Sequence, residues 1–349
     1  MQTKYYKLDP VKPDLSILAE AAELLRQGEL VAFPTETVYG LGANGLDGQA
    51  VTGIFRAKGR PADNPLILHI ADIKKLPEIA AVVPASAKAL AERFWPGPLS
   101  VIVERRSHIP DIVTGGLTTV AVRLPASLIA RELIRLAGVP IAAPSANTSG
   151  RPSPTTAEDV LADLDGKIAA VIDAGPCAIG VESSVVDCTG VVPALLRPGG
   201  VTYEMLLEVL GEIEVDPALA GSLAIPKSPG MKYTHYAPMA PMFLIEGGLP
   251  AATGELIKRE ILAAQAGGQR VGAVVSAELA GSLPPATITA VYGSRADTKT
   301  IAAGLYTALR SFDDNPVDII YAEGIEEQGL GLAVMNRLRK AAGYRIIRN

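Results

Sequence analysis

Two cations separated by a single glycine are the strongest candidates for chemistry in this chain. Lys58 and Arg60 lie in the stretch Lys58-Gly-Arg-Pro-Ala-Asp-Asn-Pro-Leu66, where Pro61 and Pro65 favour extended or turn backbone. Lysine provides a compact point charge and arginine a planar fork of donors, and a polyphosphate needs both at fixed positions. The alternative is a solvated charge pair that interacts with the dipole of a preceding helix. We favour a rigid, cation-bearing loop that binds an anion.

A second candidate segment combines hydroxyl and amide side chains with glycine and proline. It is Pro144-Ser-Ala-Asn-Thr-Ser-Gly-Arg-Pro-Ser153, and it offers Ser145, Asn147 and Ser153 as hydrogen-bonding groups. Side chains of these types in loops often bond to their own backbone. A loop of this kind that faces the two cations would instead contact a polar ligand, and the residues alone leave both interpretations open.

Two apolar, strand-like segments each carry a polar side chain that needs an explanation. In Thr119-Val-Ala-Val-Arg-Leu-Pro125 the alternation of a strand places Thr119 and Arg123 on one face. An arginine among aliphatic residues usually has a buried anionic partner, either a structural carboxylate or a bound ligand. His69 lies among aliphatic residues in Leu66-Ile-Leu-His-Ile70, a pattern that is typical of a core histidine with satisfied nitrogens.

The glycines of Gly40-Leu-Gly-Ala-Asn-Gly45 match the pattern G-x-G-x-x-G of dinucleotide-binding folds. That fingerprint requires a strand that runs directly into the glycines and a helix after them. Here the segment Pro34-Thr-Glu-Thr-Val-Tyr39 intervenes, so we predict that the glycines shape a turn. The pattern G-x-x-x-x-G-K-[ST] is absent from the sequence, which excludes that type of phosphate-binding loop.

The composition favours a cytoplasmic protein of two domains. The 349 residues exceed the usual size of one domain, and 48% of them are apolar. The net charge of −5 argues against a protein whose main task is to bind nucleic acid through charge. Cys177 and Cys188 lack metal-ligand spacing and are predicted to be reduced core residues, and the three histidines are too scattered for a zinc site. No apolar run is long enough for a membrane span.

The order of helical and strand-like segments predicts two domains of different texture. Residues 1–211 mix helices and strands in an order that indicates an α/β domain with a partly antiparallel sheet. Asp14, for example, is predicted to cap a helix that ends near Gln27, before Gly28. Residues 241–349 alternate strand and helix regularly, which predicts a smaller, parallel, Rossmann-like domain.

Residues 212–240, between these domains, show no convincing periodicity and are rich in proline, serine, glycine and alanine. We interpret them as an interdomain linker. The linker contains Met231, Tyr233, His235 and Tyr236, and it is too aromatic to be a flexible spacer alone. We hypothesise that it forms a lid, with Tyr236 or its neighbour His235 packed over a bound ligand.

Taken together, these motifs resemble the threonylcarbamoyl-AMP synthase family in its long, two-domain form. The resemblance rests on Phe33-Pro-Thr-Glu-Thr-Val-Tyr-Gly-Leu-Gly42, on the loops at 58–66 and 144–153, and on Glu182-Ser-Ser184 and Arg197-Pro-Gly-Gly200. It covers almost the whole chain. It implies an α/β fold with an N-terminal YrdC-like domain, which has a mixed twisted sheet, and a smaller C-terminal Rossmann-like domain.

The resemblance implies a nucleotidyltransferase that converts L-threonine, bicarbonate and ATP into L-threonylcarbamoyl-AMP and pyrophosphate. The product would pass to a separate transferase that modifies an adenosine of tRNA, so direct tRNA binding is expected to be weak or absent. The nucleophile belongs to the substrate, and the enzyme aligns the reactants and neutralises the phosphates. Because the sequence has no dense carboxylate cluster, Mg²⁺ is expected to be held mainly by the ATP phosphates and to have no protein site.

The resemblance also assigns roles to individual residues. The residues expected to be catalytic are Lys58 and Arg60. The residues expected to bind ATP are Arg60, Asn64, Thr119, Ser145, Asn147, Ser153, Arg197 and Tyr236. The residues expected to bind L-threonine are Thr37, His69, Arg123, Ala143 and Ser183.

Two alternative functions remain open from the sequence. A carbamoyl-adenylate-forming enzyme of metal-cofactor maturation would have a similar catalytic domain, but such enzymes usually carry zinc fingers whose cysteine spacing is absent here. An RNA-binding module would use a concave basic face, and the sequence has no stripe of aromatic and basic residues for single strands. The oligomeric state and the role of the C-terminal domain do not follow from the sequence.

Overall fold

The computed structural model describes residues 2–217 and 236–348 and divides the chain into two compact units. Unit 1 comprises Met1–Ser149, Ser153–Ala178 and Glu182–Lys232, and unit 2 comprises Gly150–Pro152, Ile179–Val181 and Tyr233–Asn349. The two short segments Gly150–Pro152 and Ile179–Val181 therefore belong to the same compact unit as the C-terminal part of the chain.

The predicted lid lies largely outside the described residues. Met231, Tyr233 and His235 are not among them, whereas Tyr236 is. In the two described ranges, no helix has the length and apolar character that a membrane span requires.

Unit 1 consists of a sheet with helices packed on it. Its strands are β1 (Lys4–Lys7), β2 (Val31–Phe33), β3 (Gly40–Asn44), β4 (Ile67–His69), β5 (Leu99–Glu104), β6 (Thr119–Arg123), β7 (Ile141–Ala142), β8 (Ala170–Asp173), β9 (Ser184–Asp187), β10 (Ala194–Arg197) and β11 (Glu214–Val215). Its helices are α1 (Leu15–Arg26), α2 (Gly48–Lys58), α3 (Leu76–Ile79), α4 (Ala85–Phe94), α5 (Asp111–Thr114), α6 (Leu128–Ala137), α7 (Ala157–Leu164) and α8 (Tyr203–Leu210), with a 3₁₀ turn at Ile73–Lys75.

The sheet of unit 1 is mixed, which confirms the predicted α/β class. Its strand order is β1-β8-β2-β3-β7-β4-β6-β5-β9-β10-β11. β2 and β3 pair antiparallel, as do β5 and β6, whereas β4 pairs parallel to β6 and β5 parallel to β9. The registers place His69 beside Arg123, and Arg123 beside Ser100, on three neighbouring strands. The sheet thus collects polar side chains from distant parts of the sequence at one edge.

Helix α1 shows how local signals place an element on the core. Asp14 accepts a hydrogen bond from the Ser16 backbone N–H, and the chain leaves the helix at Gly28 with a φ of 84°. The predicted helix is confirmed. Leu18 and Leu25 are fully buried against the apolar face of α6, and burial of each side chain stabilises the fold by about 1.5–3 kcal/mol.

The glycine-rich segment Gly40–Asn44 corrects the sequence analysis, which predicted a turn. It forms β3, and it pairs with β2 and β7 inside the sheet. A Cβ on Gly42 would lie 2.8 Å from the Phe33 ring and 2.9 Å from the Ile141 side chain. The glycines are present because neighbouring side chains approach the strand closely, and this requirement has no signal in the local sequence.

Unit 2 contains a second sheet. Its strands are β12 (Met242–Glu246), β13 (Val271–Ser276), β14 (Ile288–Gly293), β15 (Ile319–Glu323) and β16 (Ile346–Arg348). Its helices are α9 (Pro250–Ala266), α10 (Ala277–Ala280), α11 (Thr298–Asp314) and α12 (Leu330–Ala341). The strand order is β14-β13-β15-β12-β16 and each of these pairs is parallel, which confirms the predicted Rossmann-like arrangement.

Candidate functional site

Lys58 is the last residue of α2 and is 2% exposed, so its ammonium group is held inside unit 1. Asp47 caps the start of the helix, and Gly59 ends it in the left-handed conformation. Lys58 Nζ donates to the backbone carbonyl oxygens of Ser145 and Asn147, at 2.5 Å in both cases. The sequence analysis placed Lys58 in a loop; the structure places it in the final helical turn.

The loop that Lys58 contacts is also fixed from β3. The Leu41 backbone N–H donates to the Pro144 carbonyl oxygen at 2.8 Å. Within the loop, Ser145 Oγ donates to Asn147 Oδ1 at 2.5 Å. The structure therefore brings together the two segments that the sequence singled out, with Lys58 as the link between them.

Arg60 and Asn64 form the other part of the cation-bearing segment. Arg60 Nη2 donates to the carbonyl oxygens of Asn64 and Pro65, at 3.2 Å in each case. Asn64 is 1% exposed, and both polar atoms of its amide lack a hydrogen-bond partner among the described residues. A buried polar group without a partner costs about 1–3 kcal/mol. A buried amide without partners is expected at a site where a polar ligand supplies the hydrogen bonds.

Arg123 ends β6 and is 4% exposed. Its Nη2 forms an ion pair with Glu36 Oε1 at 2.6 Å, its Nη1 donates to Thr37 Oγ1 at 3.0 Å, and its Nε donates to the Gly97 carbonyl oxygen at 3.3 Å. Glu36, whose side chain is 12% exposed, is thus a structural carboxylate partner of Arg123, one of the two alternatives that the sequence left open. A guanidinium group has five N–H donors, so two of them remain without a partner in the described part of the chain.

His69 lies beside Arg123 in the sheet and is 3% exposed. The sequence pattern predicted a core histidine with satisfied nitrogens, but Nδ1 has no hydrogen-bond partner within the described ranges. Burial, together with the Arg123 cation, lowers the pKa of His69 to about 3. The site therefore contains a neutral imidazole next to a buried guanidinium group.

The depressed pKa of His69 predicts a specific pH dependence of stability. The unfolded chain, with a histidine pKa of 6.5, binds this proton more readily than the folded chain does. Stability is therefore fully present above pH 6.5 and is lost as the pH falls toward the folded pKa, by up to about 1.4 kcal/mol per pH unit. Replacing His69 by Gln should flatten the pH dependence of the unfolding free energy below pH 6.5, as measured by chemical denaturation.

His108→Gln is the matched control for this measurement, because His108 is exposed and its loss removes an imidazole from the surface. The slope of the unfolding free energy against pH is compared, rather than its absolute value. A packing defect would lower the free energy by a similar amount at every pH and would leave the slope unchanged. Equal slopes for His69→Gln and the unmodified protein would contradict the prediction.

A second polar cluster surrounds Ser183. Arg197, which ends β10 and is 4% exposed, donates from Nε to the Ser183 carbonyl oxygen at 3.1 Å and from Nη2 to Ser183 Oγ at 3.1 Å. Ser183 Oγ lies 2.9 Å from Ser100 Oγ. Ser153 Oγ donates to Glu182 Oε1 at 2.6 Å. Because Ser100 is the register neighbour of Arg123, this cluster continues the row of polar groups along the sheet edge.

Gly199 predicts a large effect of a single methyl group on this cluster. A Cβ at this position would lie 2.2 Å from the Glu182 carbonyl oxygen and 2.4 Å from the Ser184 backbone nitrogen. Gly199→Ala must displace the backbone around Ser183, so we expect a loss of about 1–3 kcal/mol in unfolding free energy. The resemblance implies that Ser183 contacts L-threonine, so the KM for L-threonine is also expected to rise, as measured by steady-state pyrophosphate release.

Gly53→Ala is the control for this substitution. Gly53 lies inside α2, and a Cβ there would make an ordinary contact of 3.5 Å with Leu30. Alanine in a helix is favoured over glycine by roughly 0.5–1 kcal/mol, so this variant should be neutral or more stable. Similar KM values for L-threonine in Gly199→Ala and Gly53→Ala would contradict the prediction.

Three of the predicted site residues lie outside these clusters. Thr119 starts β6, four residues before Arg123, which is about 13 Å along a strand. Ala143 directly follows β7 and is buried. Tyr236 belongs to unit 2, where its ring stacks on Tyr306 with centroids 5.4 Å apart. The lid hypothesis for Tyr236 stays a prediction.

Sequence reasoning missed two residues of the site. Glu36 provides the carboxylate for Arg123, and Ser100 connects the row on β5 to Ser183. Ser100 had a signal, because it is a polar residue in the apolar strand β5, as Arg123 is in β6. Glu36 had none that distinguishes it from a surface carboxylate.

The sheet and site of unit 1 define the YrdC-like class of ligand-binding domains. Residues 23–199 match the Sua5, YciO and YrdC family model, which is described as telomere recombination. Residues 201–343 match the model described as the C-terminal domain of threonylcarbamoyl-AMP synthase. The chain belongs to the threonylcarbamoyl-AMP synthase family, as its motifs indicated.

Relatives extend this similarity over the full chain. The sequence is 52% identical to the threonylcarbamoyl-AMP synthase of Bacillus subtilis (strain 168), with 100% of both chains covered. It is 37% identical to the Schizosaccharomyces pombe enzyme of that name, over 95% of this chain and 90% of the relative. The crystal structure of Pyrococcus abyssi Sua5 complexed with L-threonine has 49% identity and a TM-score of 0.95, and the match covers 99% of this chain and 100% of that one.

Proposed function

We infer that the protein synthesises L-threonylcarbamoyl-AMP from L-threonine, bicarbonate and ATP, with release of pyrophosphate. The observation that carries this inference is the likeness, at a TM-score of 0.95, to a structure that contains L-threonine. The buried cations and hydroxyl groups of unit 1 support it, because they suit a zwitterion and a polyphosphate. The product supplies the threonylcarbamoyl group for N6-threonylcarbamoyladenosine in tRNA.

The reaction needs no nucleophile from the protein. The threonine amine adds to the carbon of bicarbonate, and loss of water leaves a carbamate. A carbamate oxygen then attacks the α-phosphorus of ATP, and the bond to the pyrophosphate oxygen breaks. The protein must align these groups, exclude water and neutralise the phosphate charge.

Lys58 and Arg60 are assigned to the phosphates and are the catalytic residues of this proposal. Lys58 also holds the loop of Ser145 and Asn147 through two backbone carbonyl oxygens, so one side chain contributes charge and fixes neighbouring ligands. Burial strengthens the interaction of the two cations with a phosphate, because little water competes.

Arg123 is assigned to the carboxylate of L-threonine. Glu36 and Thr37 fix the guanidinium group, and two N–H donors without a partner among the described residues are available for a carboxylate. His69 lies beside Arg123 as a neutral group, which avoids a second positive charge next to the guanidinium group. Thr37, Ala143 and Ser183 are assigned to the remainder of L-threonine.

The remaining ligands of ATP are assigned from both clusters. The unpaired amide of Asn64 is the clearest of them, since a nucleotide would supply the hydrogen bonds it lacks within the described residues. The full set assigned to ATP is Arg60, Asn64, Thr119, Ser145, Asn147, Ser153, Arg197 and Tyr236.

The proposal includes Mg²⁺ as a companion of ATP. Within the described ranges, no group of three or more histidine, cysteine or acidic side chains is placed to hold a metal ion. Mg²⁺ commonly keeps several waters and binds mainly through substrate phosphates. The ion would therefore enter with the nucleotide and offset phosphate charge there, while Lys58 and Arg60 supply the fixed charge of the protein.

The proposal extends to the surroundings of the reaction. The product is a reactive adenylate, so a transferase that acts on tRNA must bind it before it is hydrolysed. We place this exchange in the cytoplasm. The net charge of −5 suits an enzyme that leaves tRNA binding to that partner.

Pyrophosphate release from ATP and bicarbonate, with and without L-threonine, tests the proposed function. We expect release that requires L-threonine and Mg²⁺, and a product with the mass of L-threonylcarbamoyl-AMP. Serine and carbamoyl phosphate serve as alternative substrates. Release that proceeds equally without L-threonine, or that requires carbamoyl phosphate, would favour the carbamoyl-adenylate alternative and overturn the proposal.

A further inference from the structure

Unit 2 contains a cavity of about 550 Å³ that the proposed reaction does not use. It lies at the carboxyl ends of β12 and β15, and its lining includes Gly247–Gly248 and the loop 324–328. Small-molecule sites enclose roughly 300–1,000 Å³, so the cavity has the size of a metabolite site.

The topology of the sheet places this cavity where open parallel sheets bind ligands. From β12 the chain passes through α9 to β13 on one side, and from β15 it passes through α12 to β16 on the other. Since β12 and β15 are neighbours, the two connections leave in opposite directions and a crevice opens between them. The cavity occupies this switch point.

Buried carboxylates hold arginine side chains at the cavity. Glu246 ends β12 and is 8% exposed, and Arg339 Nε donates to its Oε2 at 2.9 Å. Arg348 Nη2 lies 3.3 Å from Glu246 Oε1. Glu323 ends β15, is 1% exposed, and accepts from Arg295 Nε at 2.9 Å. The three guanidinium groups are therefore oriented by strand-end carboxylates.

Arg339 shows how an anion binds in this cavity. Its Nη1 donates to Glu327 Oε2 at 3.1 Å, and its Nη2 donates to Glu327 Oε1, so the guanidinium fork grips both carboxylate oxygens. Glu327 lies in the loop that lines the cavity, and its side chain is 43% exposed, whereas that of Arg339 is 25% exposed. An internal carboxylate thus occupies a position that a ligand anion could take by displacing it.

Two helices begin beside the cavity, α9, of 17 residues, and α12, of 12 residues. α9 starts with Pro250, which has no N–H group, and the Gly331 N–H of α12 donates to the Gln328 carbonyl oxygen at 2.9 Å. Their contribution is therefore the positive end of each helix dipole, which favours a phosphate. Together with the arginine fork, these ends favour a phosphate group over a lone carboxylate.

We propose that this cavity is a second ligand site, which binds a phosphorylated small molecule of mononucleotide size, with the phosphate displacing Glu327 from Arg339. The site is separate from the residues assigned to catalysis, all of which except Tyr236 lie in unit 1. It gives the C-terminal unit a binding role that does not depend on the proposed reaction.

Equilibrium dialysis of AMP against the full-length protein tests this proposal with two opposite variants. Arg339→Gln removes the fork and should weaken one class of AMP sites at least about tenfold. Glu327→Gln removes the internal competitor and should tighten that class about threefold or more. Glu326→Gln removes the same charge from the same loop without a contact to Arg339, and it should leave AMP affinity within about twofold.

Competition of small anions with AMP identifies whether the cavity recognises a phosphate or a carboxylate. Inorganic phosphate should displace AMP from this class, and L-glutamate at the same concentration should not; the reverse order would overturn the assignment of a phosphate. Pyrophosphate release from saturating ATP and L-threonine should be the same in Arg339→Gln as in the unmodified protein, which separates this site from the catalytic one. If Glu327→Gln changes the melting temperature but not AMP binding, the pair is only a structural ion pair and the proposal is wrong.

Discussion

Lys58→Ala should lower kcat/KM for threonine-dependent pyrophosphate release by at least about 100-fold, equivalent to about 2.7 kcal/mol of transition-state stabilisation. Two losses combine in this variant. A buried cation disappears from the proposed phosphate site, and the carbonyl oxygens of Ser145 and Asn147 lose the ammonium group that holds them. Initial rates over a range of ATP concentrations measure the effect on kcat and KM separately.

Arg56→Ala provides the matched control, because Arg56 lies in the same last turn of α2 but is exposed. It should keep activity within about twofold, since surface charges contribute little.

Lys58→Arg separates the two roles of Lys58. It keeps the charge but cannot place one compact ammonium group between two carbonyl oxygens, so it should recover little activity. An activity of Lys58→Ala close to that of Arg56→Ala would exclude Lys58 from the site.

The elements that the sequence predicted well carry strong local signals. Helix α1 has a cap, an apolar face and a terminal glycine, and β6 is a short apolar run with two valines, which favours a strand. β3 lacked such a signal, because its glycines are needed where side chains of neighbouring strands leave no room for a Cβ. The short strand β16 exists through its pairing with β12, about 100 residues earlier in the chain. A local sequence pattern does not identify pairing partners that are distant in the chain.

The candidate site also has features that the sequence predicted and features that it could not predict. The residue types and proline frame around Lys58 indicated an anion site, but its hydrogen bond to Ser145 joins positions 87 residues apart. The sequence required an anion near Arg123 without identifying Glu36. The place of Ile179–Val181 in unit 2 was equally hidden. A Cβ on Gly180 would lie 2.4 Å from the Ala302 carbonyl oxygen, and this close approach is visible only in three dimensions.

Arg123→Met should have two effects, on stability and on catalysis, and both should be large. Glu36, which is partly buried and still accepts from the Ala126 and Ser127 N–H groups, would lose its cation, so we expect a loss of about 2–4 kcal/mol in unfolding free energy. The variant would also remove the fork of donors that we assign to the carboxylate of L-threonine, so kcat/KM for L-threonine should fall at least about 100-fold. Chemical denaturation and pyrophosphate release, with L-threonine varied, measure the two effects on the same preparation.

The double variant Glu36→Gln with Arg123→Met distinguishes a ligand from a structural ion pair. Removal of both charges relieves the unpaired carboxylate, so most of the lost stability should return. Activity should not return, because the donors assigned to L-threonine are still absent. Glu36→Gln alone should keep the greater part of kcat, because Thr37 and Gly97 still orient the guanidinium group. If the double variant regains stability and activity together, Arg123 serves the fold alone, and the carboxylate of L-threonine must bind elsewhere.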